Sequence, residues 1–132
     1  MLAREQILQI ITSSMARRRA GDKSVTAEVM APGGTYALAA DPSLLAGYPV
    51  GPSDAETAVA RLIDLFTFHD EEVLDAIVEG GRAAVRWRLT FSRGPEGEQR
   101  TSEILQIWTF NDAGKVESLR EFSDTALIAS ML

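Results

Sequence analysis

Three side chains of this chain have the chemistry to work on a carbonyl compound: Glu121, Gln106 and Tyr36. Glu121 stands in the second arm of IWTFNDAGKVESLREFSD (Ile107 to Asp124), which has two apolar runs, a turn and a charge-rich continuation. A carboxyl group can give or take a proton as general acid or base. The amide of Gln106 offers two donors and an acceptor without charge, which suits a substrate carbonyl or its enolate. The phenol of Tyr36 can orient a water or a carbonyl. Each has a plainer reading. Glu121 pairs with a buried neighbour or lies at a solvated mouth; Gln106 is a satisfied core amide bonded to Glu121, Tyr36 or water; Tyr36 keeps its ring in the core and its hydroxyl wet. His69 is the single histidine and follows Phe66-Thr67-Phe68 at the close of a helical run, a place where histidines are mostly solvated or stabilised by the helix dipole. There is no cysteine, no Asp-x-Asp spacing with a turn glycine and no phosphate-binding glycine loop. Neither a metal nor a cofactor is expected.

Composition narrows the partners. The 132 residues are 45% hydrophobic, enough for one core and one domain over 1–132. Thirteen basic against nineteen acidic residues leave a net charge of -6, which repels nucleic acid and anionic lipid. The first residues, MLAREQILQI, lack the apolar core of a secretory signal, and no apolar run reaches the length of a membrane span. The expectation is a cytoplasmic protein that acts on a small molecule.

Periodicity supplies the elements. Ile7, Leu8, Ile11 and Met15 form the stripe of an amphipathic helix over Arg4 to Arg19, which Gly21 stops. Asp22 reads as the N-cap of a shorter helix carrying Val25 and Val29, broken by Ala31-Pro32-Gly33-Gly34, and TYALAA as a short strand. DPSLLAGYPVGP (Asp41 to Pro52) reads as an ordered flap that packs Leu44, Leu45 and Tyr48 over a cavity. Ser53-Asp-Ala-Glu56 has the spacing of a capping box and opens a third helix with Val59, Leu62, Ile63 and Phe66. A tight turn at Gly80-Gly81, with both glycines free to take positive φ, pairs Glu79 with Arg82, Asp75 with Arg86 and Leu74 with Trp87. Period two places Val85, Trp87, Leu89 and Phe91 on one face and Arg82, Arg86 and Arg88 on the other, where opposite charges meet across the ladder. Turns at RGPEGE and DAG continue an antiparallel meander. The outcome is α+β.

This order of elements, with W-x-F-x-D-x-G-K-V-x-x-x-R-E-F-x-D from Trp108 to Asp124, resembles the NTF2-like superfamily, nearest its SnoaL-like branch. Polyketide cyclases of that branch, ketosteroid isomerases and limonene epoxide hydrolases share its fold. The resemblance spans the chain, anchored at Gly21-Asp22, Pro95-x-Gly97 and Gly114-Lys115. It implies an NTF2-like (cystatin-like) cone: three N-terminal helices packed on a strongly curved antiparallel sheet, an apolar pocket on the concave side and a homodimer through the convex side. The convex face would carry Val73, Ile77, Leu105 and Ile107.

Carried over position by position, the resemblance turns Trp87, Leu89, Phe91, Ile104, Gln106, Trp108, Leu119, Glu121 and Ser123 toward the pocket. Ketosteroid isomerases have an oxyanion tyrosine, a proton-shuttling aspartate and a second oxyanion acid where this chain has Ser14, Leu38 and Gln106. The arginine and first aspartate of epoxide hydrolases become Trp87 and Leu89, and their asparagine Leu38, so that Tyr36 and Glu121 alone resemble that set. Neither catalytic set is intact. In a pocket walled by Trp87, Leu89, Phe91, Ile104 and Trp108, desolvation would push the Glu121 pKa upward. Two functions stay open: acid/base chemistry of isomerase, cyclase or hydrolase type on a hydrophobic carbonyl-bearing substrate, or a non-enzymatic ligand-binding or dimerisation domain.

Overall fold

A computed structural model describes residues 2–132. The first helix, α1 (Arg4–Arg19), buries Ile7, Ile11, Ser14, Met15 and Arg18 along one side. It ends as its glycine suggested, with Gly21 at φ 78° just beyond the Ala20 cap. α2 (Val25–Val29) follows, and Ser24 rather than Asp22 is its N-cap. The Asp22 carboxylate instead accepts hydrogen bonds from the backbone N–H and hydroxyl of Ser24, a local turn that competes with capping.

Strand β1 (Met30–Leu38) begins five residues earlier than TYALAA implied and takes in the segment expected to be a breaker. Its ladder slips between Met30 and Thr35, and Gly34 is the reason it can run there. A Cβ on Gly34 would lie 3.0 Å from the Ala31 carbonyl oxygen and 3.1 Å from that of Val116. Any side chain there would have to push these carbonyls aside by a few tenths of an ångström.

The segment after β1 makes one 3₁₀ turn over Pro42–Leu44 and returns through β2 (Ser53–Asp54). Leu45 is buried beneath it and Tyr48 half-buried, as a flap requires, whereas Leu44 is 66% exposed. α3 (Ala55–Leu65) is capped by Asp54, whose carboxylate accepts from Thr57 N at 3.0 Å, and not by Ser53. The residue one step closer to the helix has the shorter reach to the free N–H groups. The helix stops at Leu65, so Phe66 and His69 belong to the strand that follows.

Four long strands complete the chain: β3 (Phe66–Glu79), β4 (Arg82–Arg93), β5 (Arg100–Phe110) and β6 (Val116–Phe122), with α4 (Thr125–Met131) closing it. The sheet order is β2-β1-β6-β5-β4-β3. The meander is antiparallel as expected, but β1 lies parallel to β6, so the sheet is mixed. That pairing is open to β1 because helices and the long meander separate it from β6. The turn between β3 and β4 uses positive φ at Gly80 alone. Its register holds for Glu79–Arg82 and Asp75–Arg86, and then an irregularity between Val73 and Asp75 sets Val73, not Leu74, opposite Trp87.

The outer arginines are ion-paired, Arg86 to Glu103 at 2.5 Å and Arg88 to Glu72 at 3.0 Å. Glu72 stands directly opposite Arg88 on β3, whereas Glu103 lies diagonally from Arg86 on β5, within reach of its long side chain. The core fills the concave side, between α1, α3 and the inner faces of β4, β5 and β6. The described residues form four α-helices, and the fourth is at the C-terminal end rather than among the first three. No helix among the described residues is long and apolar enough to cross a membrane.

Candidate functional site

Glu121 points inward near the C-terminal end of β6 and is 2% exposed. Four hydrogen bonds reach its carboxylate. Arg18 Nη1 donates to Oε2 at 3.1 Å and Arg18 Nη2 to Oε1 at 3.4 Å. Gln106 Nε2 donates to Oε2 at 2.8 Å, and the Tyr36 hydroxyl donates to Oε1. Three elements therefore converge on one acid: α1 brings Arg18, β1 brings Tyr36, which stands opposite Leu119 in the parallel ladder and reaches Glu121 diagonally, and β5 brings Gln106 directly opposite it. All four side chains are buried.

Burial alone would raise this carboxyl, as the sequence suggested. The Arg18 guanidinium opposes it, helped by the hydrogen bonds from Tyr36, Gln106 and Arg18 itself, and the net result lies below the ordinary 4.5. Glu121 is thus an ionised carboxylate and not a neutral acid with an elevated pKa. The expectation failed because it counted the apolar walls without the cation. Burial, together with the nearby Glu121 charge, pushes the Tyr36 phenol well above its ordinary 10.0, so it remains a donor.

Gln106 is fully engaged. Its Oε1 accepts from both indoles, Trp87 Nε1 at 2.7 Å and Trp108 Nε1 at 2.9 Å, while its Nε2 faces Glu121 and Met15 Sδ. Two donors on the carbonyl fix the amide's orientation, so its N–H points at the carboxylate. Gln106 is the satisfied core amide of the plainer reading, and it positions Glu121.

A cavity of about 30 Å³ adjoins the acid, lined by Arg18, Tyr48, Phe66, Phe68, Leu89, Phe91, Ser102, Ile104, Glu121, Ser123, Asp124, Leu127 and Ile128. It has room for roughly one or two water molecules. Leu89, Phe91, Ile104, Glu121 and Ser123 are therefore placed as expected. Trp87 and Leu38 are packed core and do not line it. Ser14, Trp108 and Leu119 border a second small cavity of about 30 Å³ on the far side of Arg18, and the Ser14 hydroxyl donates to Ile10 O at 2.6 Å. Tyr36 and Gln106 reach the first cavity only through Glu121.

Arg18 is the residue that the sequence reading missed, although a signal was present. It falls three residues after Met15 and seven after Ile11, on the buried stripe of α1, where a charge must find a partner. Its guanidinium carbon sits 5.1 Å from the centre of the Phe68 ring, and its Nε has no hydrogen-bond acceptor among the described residues. A second acid stands nearby: Glu71 lies 2.9 Å from Arg19 Nε, and burial raises its carboxyl above 4.5 despite Arg19 and Arg18. Tyr48 of the flap faces the same cavity, with its phenol raised above 10.0 by burial and by Glu121.

His69 does not take part. Its Nε2 is 2.7 Å from Ser92 Oγ, which itself donates to Gly94 O, so the ring N–H donates to the serine. It stands on β3 at the irregularity between Phe68 and Asp70, not at a helix end.

The sequence matches the model of the SnoaL-like domain over residues 11–119. Solved structures share the fold at low identity. A protein proposed to be a SnoaL-like polyketide cyclase, from Jannaschia sp. CCS1, superposes with a TM-score of 0.76 at 18% identity, covering 96% of this chain and 91% of its own. An NTF2-like protein of unknown function from Burkholderia pseudomallei gives 0.74 at 14%, covering 96% of each chain. An epoxide hydrolase of the limonene type from M. tuberculosis gives 0.72 at 10%, covering 97% and 90%. No protein of curated function matches the sequence. Such identities establish a common fold and leave activity to each protein's own site. The matched residues run from within α1 through the flap and meander into β6, stopping two residues short of Glu121, and the chain belongs to the SnoaL-like domain family.

Proposed function

We propose that the protein is a small-molecule enzyme of acid/base type, acting on a hydrophobic carbonyl-bearing substrate bound beside Arg18 and Glu121. One observation carries this reading: a carboxylate held ionised by a guanidinium stands in the wall of a mostly apolar cavity, with Ser102, Ser123 and Asp124 as its other polar lining. A buried ion pair is weak evidence for stability, since apolar replacements of like volume do as well. At a cavity wall it is a candidate for chemistry. Glu121 is the base that takes a proton from the substrate, and Arg18 supplies positive charge for the oxygen that becomes negative. Tyr36 and Gln106 hold the carboxylate in place. Glu121→Gln is expected to lower turnover by about 10²-fold or more while ligand affinity persists. Turnover equal to that of the parent would refute the assignment.

A second reading has its own support. Both Glu121 oxygens are already hydrogen-bonded, and the cavity holds little more than water. In a non-enzymatic binding domain the polar cluster would serve only to fix the fold. Glu121→Gln would then alter stability and nothing else.

The convex face supports a homodimer, a separate proposal. Ile77, Leu105 and Phe122 are 65%, 37% and 38% exposed there, spread over three of the four long strands and set among the paired Arg86, Arg88, Glu72 and Glu103, whereas Val73, opposite the core residue Trp87, lies on the other face. Ile77→Asp should convert a dimer to monomer in sedimentation equilibrium. A mass unchanged by the substitution would place the dimer interface elsewhere.

A further inference from the structure

If the chamber takes a small molecule, as proposed above, something must leave it first. Ligand pockets enclose roughly 300 Å³ or more, and this cavity has about 30 Å³. Most of its walls are held fast. Leu89, Phe91 and Ile104 stand on laddered strands, and Arg18 is tied to Glu121. The flap is anchored too, by buried Leu45, by the hydrogen bond from Arg61 Nε to Gly47 O at 3.2 Å and by the bridge between Leu38 and Val50.

α4 differs. Its seven residues form less helix than is stable alone. Its cap is its own neighbour, with Asp124 Oδ1 accepting from Leu127 N at 3.0 Å and Asp124 O accepting from Ile128 N at 3.1 Å. Among the described residues no side-chain hydrogen bond or ion pair joins it to another element. Apolar packing alone holds it, chiefly through Ile128, which is 5% exposed, and Leu127, both in the cavity wall.

We propose that α4 is a plug which occupies its own binding site: Leu127 and Ile128 fill the place of the ligand's apolar body, and a ligand binds by displacing the helix. The ligand that fits is an amphiphile. Its apolar part is at least the size of two branched aliphatic side chains, and it carries an oxygen for the Arg18 end of the chamber. The apolar surface that α4 uncovers as it leaves is covered again by the ligand, so the exchange needs no polar bond to break.

The test uses the full chain and the fluorescent sulfonate 1-anilinonaphthalene-8-sulfonate. Because apparent affinity scales with the fraction of open molecules, Leu127→Ser/Ile128→Ser should bind this probe about tenfold more tightly than the parent. Leu127→Ala, at a half-buried position, should shift affinity the same way by less, and serves should the double variant lose its cooperative melt. In the parent, hydrogen exchange at residues 125–131 should become faster when the probe is bound. Equal or weaker affinity in both variants, or slower or unchanged exchange in α4, overturns the plug, and so does failure of every form to bind. The readout needs no turnover, so an inactive Glu121→Gln or an active one bears only on the catalytic reading.

Discussion

Arg18→Met is expected to lower the unfolding free energy by about 3–5 kcal/mol in urea titrations at neutral pH, the cost of leaving one partner of a buried pair charged and alone. Methionine keeps much of the arginine's apolar stem while removing the guanidinium that sits over Phe68, so the loss reports the charge rather than a cavity. Replacing both partners, as Arg18→Met/Glu121→Leu, should recover most of it, which makes the two substitutions strongly non-additive. The pH dependence has a definite sign. In the parent the Glu121 pKa is depressed, so its contribution is complete above the ordinary 4.5 and is lost as pH falls through the lower folded value. In Arg18→Met burial wins, the carboxyl titrates above 4.5, and protonation favours the folded state. The gap between variant and parent should therefore narrow in acid. A gap that stays constant from neutral pH to below 4 would show that Arg18 does not control the carboxylate.

Gln106→Leu should cost about 2–5 kcal/mol, because it strands the indole N–H groups of Trp87 and Trp108 and takes a donor from Glu121 in a single step. Both indoles would lose their acceptor, so tryptophan fluorescence and near-ultraviolet circular dichroism should change with the stability. Trp87→Phe in the Gln106→Leu background should cost less than in the parent, since one stranded donor is then removed. A Gln106→Leu protein as stable as the parent would mean that the amide is no keystone of this cluster.

Much of the fold could be read from residue patterns. The stripe of α1, the flap and the meander follow from periodicity and from glycines whose conformations few other residues adopt. The C-terminal helix was written in Thr125 to Met131, but seven residues with Gly and Pro absent give a helix too short for periodicity to assert. The parallel pairing of β1 with β6 left no local trace, because partners that far apart are chosen by packing. The site divides in the same way. Glu121, Gln106 and Tyr36 were legible by type, and the structure brings all three together. Their roles were not, because what Gln106 does depends on two indoles and what Glu121 does depends on Arg18. A single charge on an otherwise apolar stripe was the clue with the greatest consequence.

The strand order carries one more implication. The hairpin at Gly80 closes a loop of a few residues, whereas Tyr36 meets Glu121 across 85 residues and Arg18 meets it across 103. Loop-closure entropy grows by about 0.6 kcal/mol for each doubling, so assembling the acid's surroundings costs roughly 2–3 kcal/mol more in chain entropy than folding the hairpin. The corner around Glu121 is therefore among the entropically dear closures of this topology, and its polar cluster is a clasp between distant parts of the chain.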